Sequence, residues 1–179
     1  MKKLYFLFSV LAAGDTRLFL IINRHCRCFI LDAVMSKITH LGGAFFTLFI
    51  CWFLIFFNIH MSRSAALEAL LALCLSQTAV QILKRKIARL RPYLVFKNIH
   101  VQKPLLDFSF PSGHTTAGYV LAMSFSYNCP VLFYPLMGLA SLIGFSRTYL
   151  GFHYPLDVVM GAVIGIGTSY VVHHIMFIL

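Results

Sequence analysis

Charge is what this sequence has least of, and negative charge above all. Its 179 residues include fifteen Lys and Arg but only five Asp and Glu, so 11% are charged while 60% are hydrophobic and the mean hydropathy is +0.84. That balance excludes an ordinary soluble domain, in which about a quarter of residues are charged. The formal charge of +10 also lacks the setting of a nucleic-acid footprint, because the basic residues form no soluble stripe and no aromatic-basic module is visible. Anionic lipid or phosphate fits better. Cysteine is scarce too. Cys26, Cys28, Cys51, Cys74 and Cys129 are an odd count, three of them in apolar or near-apolar stretches, and they read as packing residues. Cys26 and Cys28 lie beside His25 with no second ligand pair at zinc spacing, so neither a metal nor any other cofactor is expected. Internal repeats and low-complexity stretches are absent.

What is present is hydrocarbon in long segments. At about 20 residues per crossing, the chain holds one all-α domain over residues 1–179, a polytopic transmembrane helical bundle. We expect five to six membrane helices plus an amphipathic N-terminal helix. Residues 1–14 have a basic start and a short apolar run, as a signal peptide does, but Asp15, Arg17 and Arg24 interrupt any extension. A short tilted span or an interfacial helix fits them better than cleavage. Residues 17–40 mix LFLII and FILDAV with Arg24, Arg27, Asp32 and Lys37, an amphipathic pattern suited to headgroups, and Gly42-Gly43 breaks it, so residues 1–43 form an N-terminal unit. Ala44 to His60 is the clearest span, and Ser62 to Ser64 reads as a polar turn. Ala65 to Leu83 is the next span, with Glu68, Gln77 and Gln81 spaced to share an inward face. Lys84 to Lys103 reads as a helix end and loop. A helix from His114 to about Tyr127 follows, then a turn at Asn128-Cys129-Pro130. Val131 to Phe145 returns, Arg147 to Tyr154 is a second polar loop, and Pro155 opens the last span.

Alternation of these crossings puts the end of the Ala65 span, the start of the His114 helix, the end of the Val131 helix and the start of the Pro155 helix on one membrane face. Three polar stretches converge there, and charges beside hydrocarbon mark a functional site. Lys84 and Arg91 are two helical turns apart and offer a phosphate a point charge and a planar fork; a basic collar at the headgroups is the plainer reading of them. Pro111-Ser112-Gly113-His114 precedes an apolar helix, which Ser112 is placed to cap while Gly113 lets backbone N–H groups approach an anion. His114 would stand at the mouth of the same pocket. Arg147, His153 and Asp157 make the third stretch, in which Asp157 is near enough to accept an imidazole N–H and leave the other ring nitrogen of His153 free as nucleophile or base. Asp157 also suits the dipole of its own helix.

The order Lys-x6-Arg-Pro, Pro-Ser-Gly-His, Ser-Arg-x5-His-x3-Asp over residues 84–157 resembles the type 2 phosphatidic acid phosphatase family, in its compact bacterial form. The same site occurs in vanadium haloperoxidases and membrane glucose-6-phosphatases. The resemblance implies a metal-independent lipid phosphatase in which His153 attacks phosphorus to form a phosphohistidine, Asp157 orients that imidazole, and His114 protonates the leaving oxygen. Lys84, Arg91, Arg147, Ser112 and Gly113 would hold the phosphoryl oxygens. An acidic His114 and a neutral His153 require their pKa values to be pushed apart, giving a bell-shaped pH profile.

The implied substrate is a lipid phosphate: undecaprenyl diphosphate, phosphatidylglycerol phosphate or phosphatidic acid. Lys97, His100 and Lys103 read either as contacts for a second phosphate or as solvated loop charges. By analogy with compact bacterial relatives the protein belongs in the inner membrane with its site facing outside. The positive-inside rule points the other way, but it is discounted because several cations on that face serve the site. A non-catalytic membrane protein that binds or transports lipid phosphate would use the same cations without needing His153 and Asp157. A halide-oxidising enzyme using vanadate fits poorly, because similar haloperoxidases are soluble and much longer.

Overall fold

Large apolar side chains gain nothing by turning away from lipid, so helices in a bilayer meet through small ones. The computed structural model of the protein, which describes residues 12–57, 60–101 and 104–178, follows that rule. Its elements are α1 (residues 12–20), a π-helical turn (Ile21–His25), α2 (Phe29–Ile38), a 3-10 turn (Thr39–Gly42), α3 (Ala44–Phe56), α4 (His60–Ile87), α5 (Pro92–Val95), α6 (Gly113–Asn128), a 3-10 turn (Pro130–Leu132), α7 (Phe133–Tyr149) and α8 (Pro155–Ile178). Among the described residues there is no strand. The expectation for residues 1–14 lies mostly outside the described residues.

The centre of the bundle is α6, which packs on α4, α7 and α8. The α4 face turned inward is Ala65, Ala66, Ala69 and Ala72, all fully buried, and it meets Ala117 and Val120 of α6 with Cys51 of α3. On α8, Gly161 and Gly165 sit one turn apart against α6. A Cβ on either would stand 2.6 Å from a backbone oxygen, Ser112 O or Thr116 O, so these two glycines set the α6–α8 distance. Bulk faces out: Phe45, Phe49, Trp52 and Phe56 on α3 and Leu67, Leu71 and Leu75 on α4 are exposed to the surroundings that lipid fills.

Three stretches are long and apolar enough to cross a membrane, Arg63–Val95, Pro130–Tyr149 and Pro155–Ile178. A fourth crossing is counted if the bent pair Phe29–Gly42 and Ala44–Phe56, which turns by 56°, is one broken span. At 16 residues the central α6 is only about 24 Å long at 1.5 Å per residue, shorter than a hydrocarbon core is thick.

Some expected boundaries move. The polar turn placed at Ser62 to Ser64 lies inside α4, which already begins at His60, and Ser64 Oγ donates to Asn128 Oδ1 at 2.9 Å. Likewise α7 continues through Tyr149, so Arg147 sits in its last turn rather than in a loop. Lys84 and Arg91 do not share a helix face. Helix α4 ends at Ile87, Ala88 adopts a φ of 49°, and Arg91 is extended at the N-cap of α5, as the residue before Pro92 prefers.

The N-terminal unit is not merely interfacial. Met35 and Leu31 of α2 and Ile22 of the π-helical turn pack on Tyr149, Leu150 and Phe152. Tyr149 Oη donates to Asp32 at 2.6 Å, and Arg27 pairs with the same carboxylate at 2.6 Å. Asn23, buried, donates to Tyr149 O at 2.8 Å and takes the His100 N–H at 3.2 Å. These ties clamp the N-terminal helices onto the back of the polar loops.

Candidate active site

Four chain segments meet where α4 and α7 end and α6 and α8 begin. Between them is a cavity of about 790 Å³ lined by Lys84, Arg91, Asp107, Gly113, His114, Arg147 and His153. Its lower wall is apolar, with Ala44, Thr47 and Leu48 of α3 and Leu73 and Cys74 of α4. Polar residues thus stand at one end of a hydrocarbon-lined space.

His153 is fully buried in the turn between α7 and α8. Its Nδ1 lies 2.6 Å from Ser109 O, and a carbonyl only accepts. The proton is therefore on Nδ1, and the lone pair is on Nε2, which faces Arg91 Nη1 at 3.3 Å. Burial pushes the imidazole pKa from 6.5 down to about 3, with Arg147 and Arg91 adding to the fall and Asp157 opposing it. The neutral ring is the resting form.

Asp157 stands behind that ring without holding it directly. Its Oδ2 is 3.7 Å from His153 Nδ1 and instead accepts from Ser109 Oγ and from Tyr154 N at 2.9 Å. Its Oδ1 takes Arg89 Nη1 at 2.6 Å. The carboxylate grips the serine whose carbonyl grips the histidine.

The cationic wall is built from three elements. Lys84 Nζ donates to Phe108 O at 2.9 Å, and Arg91 donates to Asp107 O and Phe152 O at 2.8 and 2.9 Å. Both also pair with the Asp107 carboxylate. Burial alone would raise the Asp107 pKa, but the Lys84 hydrogen bond and the Arg91 charge outweigh it and hold the group below the usual carboxylate range. Asp107 is half-exposed. Arg147 Nη1 donates to Thr39 Oγ1 at 2.7 Å and its guanidinium lies 4.2 Å over the Phe152 ring. Its Nε is the buried side-chain polar atom without a hydrogen-bond partner among the described residues, and an orphan of this kind calls for an acceptor.

At the mouth of α6, Ser112 caps the helix: Oγ accepts from Thr115 N at 3.5 Å and from Thr115 Oγ1 at 2.9 Å. Ser112 is fully buried and is not part of the cavity wall. Gly113 is, and its carbonyl takes Gln77 Nε2 at 3.1 Å. His114 also lines the cavity, against Gly42, where a Cβ would stand 2.6 Å from His114 O. Lys97 and His100 lie away from the cavity wall, and Lys103 is outside the described residues.

Residues 65–179 match the family described as the PAP2 superfamily. The chain belongs to that superfamily. Among similar solved structures, Aquifex aeolicus LpxE superposes with a TM-score of 0.80 and 30% identity over 88% of this chain and 93% of that one. The first transmembrane PAP2-type phosphatidylglycerolphosphate phosphatase from Bacillus subtilis gives 0.78 and 25% over 95% and 88%. The undecaprenyl-diphosphatase BcrC of Bacillus subtilis is 36% identical over 77 residues, 42% of this chain and 39% of that protein. This last match spans well under half of the relative's length.

Beyond the superfamily motif, the structure brings in residues that the sequence reading did not assign. Asp107 and Ser109 come from the loop before α6, Thr39 and Gly42 from the elbow between α2 and α3, and Asp15 from α1. Arg89 comes from the segment between α4 and α5. A signal was available for two of them: Asp15 and Asp107 are two of only five acids in the chain, and a scarce carboxylate near a cation-rich segment has few other reasons to be there.

Proposed function

We propose that this PAP2 protein is an integral membrane lipid phosphatase that hydrolyses a phosphomonoester or diphosphate of a lipid through a phosphohistidine on His153, without a metal. The observation that carries the reading is the His153 ring, fixed by Ser109 O with its Nε2 lone pair turned to a cation-lined cavity. The phosphoryl group enters between Lys84, Arg91 and Arg147, displaces the Asp107 carboxylate from the first two, and gives the Arg147 Nε its acceptor. Nε2 attacks phosphorus and the bond to the lipid oxygen breaks, with His114 supplying the proton to that oxygen. Water, giving its proton back to His114, then attacks phosphorus; the P–N bond breaks and inorganic phosphate leaves. The cations bear the charge that builds up on the phosphoryl oxygens.

Gly113 lines the cradle, while Ser112 acts through the helix it caps. The apolar wall of α3 and α4 receives the lipid chain. Undecaprenyl diphosphate and phosphatidylglycerol phosphate are the substrates favoured by the names of the relatives, with phosphatidic acid third, and the protein works in a bacterial inner membrane with its site facing the periplasm.

The test is phosphate release from a panel of these lipids in EDTA, for wild type and His153→Ala. Release by wild type and a loss of about 10⁴-fold or more in the variant are expected. Undiminished release from the variant refutes the nucleophile, abolition by EDTA refutes metal independence, and no release from any lipid by wild type favours a binding protein.

A further inference from the structure

Arg89 joins two buried carboxylates, and neither pairing is explained by the chemistry above. Its Nη1 donates to Asp157 Oδ1 and its Nη2 to Asp15 Oδ2, both at 2.6 Å, and both carboxylate side chains are fully buried. The guanidinium lies 3.8 Å over the Tyr154 ring, whose backbone N–H also holds Asp157. Asp15 in turn accepts the Leu156 N–H at 2.8 Å, in the first turn of α8. Arg89 is not in the wall of the cavity. It cannot serve the phosphate from there, and a guanidinium stacked and doubly paired is a rigid element.

We propose that Arg89, anchored by Asp15 of α1, is a positioning residue for the nucleophile: it fixes Asp157, and through Ser109 it fixes the proton on His153 Nδ1. The chain of bonds runs from α1 to the reacting atom. Asp15 holds Arg89, Arg89 holds Asp157, Asp157 holds the Ser109 hydroxyl, and the carbonyl of that same serine holds the imidazole. Asp157 is too far from Nδ1 to set the tautomer alone, so its orientation matters only if the serine follows it. Without Arg89, two buried carboxylates face each other with no counter-charge, an arrangement proteins avoid. Asp157 then takes up a proton or turns away, Ser109 loses its anchor, and the ring is free to rotate or change tautomer. The N-terminal helices thereby become part of the catalytic apparatus.

This inference rests on the phosphatase reading for its kinetic arm only. Arg89→Gln, Arg89→Lys and Asp15→Asn are made in the full chain in lipid nanodiscs. Three measurements are made: steady-state kinetics (kcat and KM) on a lipid phosphate, the affinity for inorganic phosphate by calorimetry, and the His153 tautomer by ¹⁵N NMR of the labelled imidazole. Arg89→Gln is expected to lower kcat about 100-fold, the scale of a misplaced reacting group, with phosphate affinity within about twofold and the Nδ1–H tautomer of His153 lost. Asp15→Asn lowers kcat about tenfold, Arg89→Lys falls between, and adding Asp15→Asn to Arg89→Gln costs nothing more because the two act in series. Unchanged kcat and tautomer in folded Arg89→Gln overturn the proposal, as does a parallel loss of phosphate affinity. If Arg89→Gln does not fold, Asp15→Asn decides by the same criteria. If wild type hydrolyses no lipid phosphate, the proposed function has failed while the NMR arm still decides the positioning.

Discussion

The two ends of α6 carry polar clusters, the far one drawn from α4, α6 and α8, the near one from the ends of α4 and α7, the start of α6 and the loops beside them, and only the near one leaves hydrogen-bonding capacity open. At the far end Glu68 accepts from Asn128 at 3.4 Å and from His173 at 2.9 Å, Asn128 takes the Ser64 hydroxyl and donates to Ser124 O, and His173 stacks on Tyr127 at 4.1 Å. Each group there spends its hydrogen bonds on a neighbour, and the cluster ties three helices together. At the near end an arginine nitrogen has no partner among the described residues, a histidine lone pair faces a cavity, and two cations share one half-exposed carboxylate. Buried polarity alone does not make a site. Capacity left unspent beside open space does.

Matched histidine truncations separate the ends most sharply. His153→Ala is expected to remove turnover as described above, whereas His173→Ala leaves turnover of the folded protein within about twofold and lowers stability by about 1–3 kcal/mol, the cost of stranding Glu68. Equal losses of activity in the two variants would erase the distinction. Next in size is Asp107→Asn. With the carboxylate gone from between Lys84 and Arg91, inorganic phosphate should bind about tenfold more tightly in calorimetry; weaker binding would mean that Asp107 organises the cradle rather than filling it.

A smaller effect is that of pH. Held at about 3, His153 remains roughly 99% neutral at pH 5, so it produces no acid limb in kcat/KM between pH 5 and 8. The bell expected from sequence therefore loses its acid limb in that range, and an acid limb near pH 6.5 would mean that His153 is not buried during catalysis. Stability follows the same shift with a definite sign. The unfolded imidazole takes its proton near 6.5 and the folded one near 3, so the unfolded state binds more protons in between and stability falls as pH drops through that window. The thermal midpoint of His153→Gln should fall less than that of wild type from pH 7 to 4.

The bundle was readable because lipid imposes its own punctuation. Apolar runs of about one bilayer, a turn at Asn128-Cys129-Pro130 and a proline opening α8 can be placed from composition and chain chemistry. The boundaries that moved were set by contacts: Ser64 joins a helix because Asn128 receives its hydroxyl, and Arg147 stays helical because α7 is capped only at Leu150. Lys84 and Arg91 were assigned to one helix face and came together by another route, through the reversal at Ala88. The N-terminal helices were the least legible part. Their amphipathic pattern is the same whether they lie on headgroups or against the back of a site, and Asp15 discloses its role only beside Arg89.

By itself, then, the order of residues determined an all-helical membrane bundle, the face on which its polar stretches meet, and the identity of the cations, histidines and aspartate gathered there. These follow from hydropathy, alternation and motif, which are properties of one chain read in one direction. Only the tertiary structure decided that Ser109 rather than Asp157 holds the His153 proton, that Asp107 stands between Lys84 and Arg91, and that Asp15 of α1 meets Asp157 through Arg89. Those are matters of distance: a shift from 2.6 to 3.7 Å changes a hydrogen bond into a neighbouring charge, and no pattern along the chain carries that difference.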